Sequence, residues 1–312
     1  LTDADSNPTL LRIGTRGSDL ARWQAEHVRD ALLAAHPDLQ IELCIISTRG
    51  DEILDRPLHE IGGKGLFVRA IEQQLLDRSV DIAVHSFKDM PAVGPDPLVI
   101  AATPPRADCR DALVGAPGMR LRELPPGTRL GTGSLRRGAL AKKINPGVTV
   151  VPIRGNVPTR VGKVDSGECD AVMLAAAGLT RLGLADRITE ALPPDEFCPA
   201  PAQGILALQC RVDDEAARAR LSVLADASTT IAAAAERGFL RRLGASCTVP
   251  VGCHAVVDGT QVRVHGLVID PSGAPGYEDT VQGPVADAEA LGIALAEDLM
   301  GRGGKAIIDR LV

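Results

Sequence analysis

The cations of this chain that could do chemistry stand just after apolar runs. Arg16 follows "LRIGT", Lys88 follows "DIAVHS", Arg136 and Arg137 follow "RLGTGSL", and Arg154 and Arg160 lie in "VPIRGNVPTR". In open α/β sheets, ligands bind beyond the carboxyl ends of the strands. Guanidinium forks placed there pair with carboxylates or phosphates, and helix N-terminal amides add to the preference for anions. These residues therefore predict a cleft for a polyanion. One acid, Asp89 in "HSFKDMP", sits among them. It reads either as an ion-pair partner or as a carboxylate that moves protons and stabilises developing positive charge, and spacing alone does not separate the two. His85, directly on the strand, reads as structural.

A thiol is the other reactive group. Cys247 in "LGASCTVPVG" lies between a helix-like and a strand-like run. The chain has seven cysteines and no CxxC pair, which excludes a zinc ribbon or a thioredoxin-type site. The six-residue gap from Cys247 to Cys253-His254 is not a zinc spacing, so no metal is expected. "IGGKGLF" lacks the Lys-Ser/Thr ending of a phosphate-binding P-loop. It is either a mobile loop lending Lys64 to the cleft or a plain flexible connection.

Composition bounds the partners. A net charge of −6 argues against a general nucleic-acid or anionic-membrane surface, and an aromatic content of 2% argues against base-stacking platforms. No apolar run reaches the roughly 18 residues of a membrane span. The polar, acidic "LTDADSNPTL" is the reverse of a secretory or transit segment, which predicts a cytoplasmic protein.

The elements that must position these groups alternate. "LRIGT", "IELCIIST" (read as a buried strand) and "VDIAVHS" are strands; "SDLARWQAEHVRDALLAA", capped by Ser18, and "GLFVRAIEQQLLD" are helices. This is α/β order with a largely parallel sheet. "RIGTRGSDLAR" resembles "RLGTGSLRRGA", and "VDIAVHSFKD" echoes "CDAVMLAAAG". The pairs indicate either two domains of like construction or the general similarity of strand–turn–helix units. Proline-rich joints at 103–117 and 192–204 bracket the second block, and "GILALQCR" reads as a strand returning to the first. Two crossings make a hinged cleft. From about 226 a small α+β domain follows: a helix capped by Thr229 or Ser228 and ended by Gly244, a hairpin through Asp258-Gly259, and a last helix. The domains expected are 1–104 with 203–224, 105–202, and 225–312.

Taken in order, "RIGTRGS", "TRGD", "GGKGLF", "DIAVHSFKDMP", "GTGSLRRGA", "RGNVPTR", "AAAGLTRLG", "PAQG" and "GASCTVPVG" resemble the porphobilinogen deaminase (hydroxymethylbilane synthase) family. The resemblance implies two similar periplasmic-binding-protein-like α/β domains plus a small α+β C-terminal domain, in a monomer. It implies a transferase of tetrapyrrole and heme biosynthesis that condenses four porphobilinogen molecules, with loss of ammonia, onto a dipyrromethane primer. Hydrolysis then frees linear hydroxymethylbilane. It also implies that dipyrromethane is held by a thioether at Cys247, with Asp89 as the catalytic acid. Lys88, Asp89, Thr132, Ser134, Arg136, Arg137 and Arg160 would bind the cofactor. Arg16, Ser18, Arg154, Arg160, Arg181 and Gln203 would bind substrate, and Lys64 and Phe67 would belong to a mobile loop. Four positions depart from the family pattern: Glu60 replaces a common lysine, Gly133 a serine, Ala202 a glycine, and Pro158 enters a turn.

Overall fold

The computed structural model describes residues 10–47, 68–244 and 249–311. Strands are numbered along the chain. A first sheet holds β1 (Leu10–Arg16), β2 (Gln40–Ile46), β3 (Ile82–Ser86), β4 (Leu98–Ala102) and β10 (Leu206–Arg211), in the order β2-β1-β3-β10-β4. A second sheet holds β5 (Asp111–Gly115), β6 (Arg129–Gly131), β7 (Thr149–Val151), β8 (Ala171–Ala175) and β9 (Ile188–Leu192), in the order β7-β6-β8-β5-β9.

The two orders are the same topology written twice. In each sheet three parallel strands are followed by an antiparallel fourth and an outer fifth. The short sequence echoes therefore reflect a structural repeat. β1 and β6 each lead into a helix capped by serine: Ser18 accepts from Ala21 N and Ser134 from Arg137 N. Even an arginine–aspartate pair recurs, each acid taking both the guanidinium and the backbone N–H of its arginine. Arg12 N meets Asp81 Oδ2 at 2.8 Å, and Arg129 N meets Asp170 Oδ2 at 2.7 Å. The fourth strand of each sheet, β10 or β5, is the one delivered by a crossover from the other sheet.

Central strands are buried on both faces because helices cover both. Ala25, Val28 and Leu32 of the helix Asp19–Ala35 pack with Ile82 and Val84, while Ile71 and Leu75 of the helix Arg69–Leu76 pack with Ala83. The reading of β2 as a buried strand is corrected. β2 is a sheet edge, with alternating partial burial and Ile45 at 52% exposure, because only one side pairs and only one face meets the core.

The third lobe is an antiparallel meander of β11 (Val251–Asp258), β12 (Gln261–Ile269) and β13 (Gly276–Pro284). Its helices Ala227–Leu243 and Ala288–Leu299 cross in near contact. A Cβ on Gly292 would strike the Ala235 carbonyl, and one on Gly238 would come within 2.7 Å of the Glu289 carbonyl. Asp226, whose side chain accepts from Thr229 N, caps the first of these helices, which corrects the expected Thr229 or Ser228. Asp226 lies before the small-residue run, so the first turn includes those residues.

This lobe docks on both others. Leu267 and Ile269 join the apolar core of the second lobe. Toward the first lobe, Thr230 Oγ1 meets Thr103 Oγ1 at 2.8 Å. Glu236, fully buried, takes Arg106 Nη1 at 2.6 Å, Ala202 N at 2.5 Å and Ala255 N at 2.7 Å. One carboxylate thus ties both crossovers to the third lobe. Among the described residues no helix is long and apolar enough to cross a membrane, and no cluster of three metal-ligating side chains occurs.

Candidate active site

A narrow cleft of about 90 Å³ opens between the first two lobes. Gln24, Ser86 and Lys88 line it from one side, and Arg137, Arg160 and Arg181 from the other. Cations from both sheets thus face one space at the strand ends, where the sequence placed them.

Lys88 and Asp89 sit on a single helical turn, Phe87–Asp89, directly after β3. Phe87 and Met90 are buried, Lys88 is half-buried and Asp89 is exposed. The buried flanks turn the carboxylate outward. Asp89 lies close enough to Lys88, Arg137 and Arg160 to raise the proton affinity of all three. Burial, then Arg137, brings the Lys88 ammonium down to about 8. Burial, then Arg137 and Arg154, lowers Arg160 to about 10. Both shifts arise because cations are crowded into a poorly hydrated crevice. His85 is brought to about 4, first by burial and despite its hydrogen bond to Gln209. It is neutral at physiological pH, as a structural residue should be.

Beneath the cleft lies an acid that sequence reasoning missed. Asp111, the first residue of β5, has no exposed surface. It takes Arg136 Nη1 at 2.6 Å, Arg137 Nε at 2.7 Å and Gln203 Nε2 at 3.0 Å. Burial alone would raise its proton affinity, but the two guanidiniums more than offset this and hold it well below the ordinary carboxylate range. Gln203 then accepts Lys88 Nζ at 3.2 Å and Arg137 Nη2 at 3.4 Å. The network spans both crossovers and joins cations of both lobes. The signal in sequence was slight: an acid at the head of "DALVG", after the proline joint.

The other expected site residues divide by location. Arg137, Arg160, Arg181 and Lys88 line the cleft, and Gln203 lies just beneath it. Arg154 acts electrostatically on Arg160, and Arg16 on His85, which places both near this group. Arg136 is 4% exposed; besides Asp111 it binds the Cys198 carbonyl at 2.7 Å and stacks near Phe197. It is part of the buried support. Ser18 and Ser134 accept cap bonds, and each keeps a hydroxyl proton to donate. Thr132 is buried, its hydroxyl accepting Ser134 N at 3.2 Å, so it shapes the turn. Arg181 bridges to the Gly204 carbonyl at 3.1 Å and lies 5.7 Å from the Trp23 ring across the cleft. Gln24, buried and bonded to Ser86 at 2.9 Å, was also missed, because a polar helix residue ordinarily reads as solvated. Cys247, Lys64, Phe67 and Glu60 lie outside the described residues.

Two of the departures have local reasons. A Cβ on Gly133 would stand 2.9 Å from the Ile153 carbonyl, so serine here requires the neighbouring strand end to shift. Pro158 occupies the first turn of the helix Val157–Asp165, which Asn156 caps, where no intrahelical N–H is needed.

The donor set suits a chain of carboxylates, and it offers one exposed acid beside them. Comparison with known proteins follows the same line. Residues 11–219 match the model described as "Porphobilinogen deaminase, dipyromethane cofactor binding domain", and residues 230–301 match its C-terminal domain. A porphobilinogen deaminase of Syntrophotalea carbinolica is 48% identical over 303 residues, covering 97% of this chain and 96% of that protein. One of Roseiflexus sp. is 47% identical, covering 96% and 98%. Among solved structures, the methionine binding protein MetQ is 12% identical with a TM-score of 0.47, covering 74% of this chain and 96% of its own. The Escherichia coli sulphonate binding protein SsuA is 16% identical with a TM-score of 0.40, covering 75% and 70%.

Proposed function

The chain belongs to the porphobilinogen deaminase family, and from that premise we propose how its own residues carry the reaction. The activity is that of a transferase which condenses porphobilinogen, with release of ammonia, on a dipyrromethane cofactor. When bound, the dipyrromethane supplies the primer to which each new pyrrole is joined. Cys247 is the residue we propose to hold it, as the thiol of the "GASCTVPVG" motif.

Lys88, Arg137 and Arg160 grip the carboxylates of the growing chain, and Arg16, Arg154 and Arg181 those of the incoming substrate. Ser18 and Ser134 supply neutral donors at the margins, while Arg136, Thr132 and Gln203, whose amide hydrogens go to the Cys109 carbonyl and Asp111, hold the others in place from below. Each charge-assisted hydrogen bond of this kind contributes about 1.5–3 kcal/mol. Two or three such bonds orient a substrate without burying the carbon that reacts. Departure of ammonia leaves positive charge on the substrate. Asp89 stabilises that charge and accepts hydrogen bonds from pyrrole N–H groups. It then takes up and passes on the proton released by the new bond. A carboxylate does both because it is at once an anion and an acceptor. We further propose that the protein works as a cytoplasmic monomer.

The observation that carries this reading is the placement of one exposed carboxylate, Asp89, among cations contributed by two lobes. Intact-protein mass spectrometry tests the tether: the wild-type chain should exceed its sequence mass by two linked pyrroles, and Cys247→Ser should not. Asp89→Ala should keep that added mass while turnover falls about 10²-fold or more. A turnover within threefold of wild type would remove Asp89 from the chemistry.

A further inference from the structure

The helix Ala227–Leu243 of the third lobe sends one side chain into the first lobe at the turn bearing Asp89. Arg237 Nη1 donates to the Met90 carbonyl at 3.0 Å and, at 3.5 Å, to that of Phe87; Nη2 donates to the Pro91 carbonyl. Its guanidinium lies 4.7 Å from the centre of the Phe87 ring. Among the described residues it makes no ion pair. Its donors go instead to three carbonyls on both sides of Lys88 and Asp89. The same turn is tied from its other side, where Phe87 N donates to the Ile205 carbonyl at 3.0 Å. Phe87 and Met90 pack with Ala202, Ile205 and Ala233.

Simple docking of the third lobe does not require this arrangement. Glu236 with Arg106, the Thr103–Thr230 pair and the apolar contacts of Leu267 and Ile269 already hold that lobe in place. A docking cation would find a carboxylate; this one grips the backbone of a single turn. Peptide planes held at both ends leave Asp89 little freedom except its own side-chain torsions. That restraint has kinetic weight, because a misplacement of about 1 Å can cost about 10²-fold in rate.

We propose that Arg237 is a positioning residue: it fixes the Phe87–Pro91 backbone and so sets where the Asp89 carboxylate meets the reacting groups. The proposal rests on the reading of Asp89 given above. It also makes one helix serve both ends of the chemistry, since that helix runs in sequence toward the segment that includes Cys247.

The test uses the cofactor-loaded enzyme and four variants: Arg237→Met, Arg237→Lys, Asp89→Asn, and Arg237→Met combined with Asp89→Asn. In Arg237→Met, kcat should fall about 10- to 100-fold with KM within about twofold. Amide hydrogen exchange should rise in the peptide spanning residues 87–91 and stay unchanged in the third lobe. In the Asp89→Asn background the same change should cost less than twofold, because a residue that acts through Asp89 has nothing left to position. Arg237→Lys, which keeps charge and one donor but loses the fork, should fall between wild type and Arg237→Met. If Arg237→Met does not fold, Arg237→Lys compared in both backgrounds decides by the same criterion. A kcat within twofold of wild type, or losses that multiply in the double variant, would overturn the proposal. A wild-type rate for Asp89→Asn alone would instead overturn the reading on which it rests.

Discussion

Lys88 shows how a single residue links burial to function. With its pKa brought to about 8, it loses its charge within a range that an enzyme can be assayed in. The free enzyme should therefore lose its grip on acidic substrate as pH rises through about 8, seen as a falling kcat/KM. A bound carboxylate restores the proton, so kcat should fall less. Lys88→Arg keeps the charge and should flatten that limb; an unchanged limb would assign it to another group. Folding responds with the opposite sign. The unfolded chain holds this proton up to pH 10.5 and the folded chain only to about 8, so stability contributed by Lys88 rises between those values and is lost as pH falls through 8. At this scale the sequence told which residue types gather at strand ends but not their orientation. Arg136 and Arg137 are neighbours on one helix and diverge by about 100°. One goes to the Cys198 carbonyl and the other to the cleft, and nothing in "SLRRGA" distinguishes them. Asp111 stayed unread because its three partners come from distant parts of the chain.

Elements were legible where a local signal fixed them. Ser18 caps the first helix, Gly244 ends the helix before the Cys247 segment with φ +60°, and Gly259 with φ +58° makes the hairpin of β11 and β12. β13, with its polar and largely exposed stretch, gave no period to read. Ala202 is the informative exception. It stands at φ +63° in the second crossover, a left-handed conformation that favours glycine. Its N–H must point at Glu236, so the turn cannot relax away from that angle. Ala202→Gly should remove a Cβ clash of about 1–2 kcal/mol and regain flexibility in the unfolded chain worth about 0.4–1 kcal/mol. The net expectation is a gain of about 0.5–1 kcal/mol, read as a thermal midpoint raised by about 1–3 °C. A lowered midpoint would show that the alanine methyl contributes more by packing than the backbone angle costs.

On the scale of the whole molecule, two like lobes and a docked third were foreshadowed by two weak sequence echoes and two proline joints, because a repeated topology reuses its turn chemistry. The way the lobes face one another was not foreshadowed. Trp23, the chain's one tryptophan, stacks on His27 from the first lobe and meets Arg181 of the second. Its fluorescence should therefore report lobe separation. Arg181→Leu should shift its emission, and substrate added to the loaded wild-type enzyme should shift it again. Emission indifferent to both would mean that the two lobes keep their spacing through the cycle. A different consequence follows from the late arrival of β10. β10 fills the gap between β3 and β4, yet it comes after every strand of the second sheet. During synthesis the N-terminal half must wait, its sheet split, until a partner strand about a hundred residues downstream of β4 leaves the ribosome. The second lobe, with β5–β9 contiguous in the chain, could be cut out or borrowed whole and leave β4 to meet β10 directly, whereas the first lobe, interrupted between those two strands, could not.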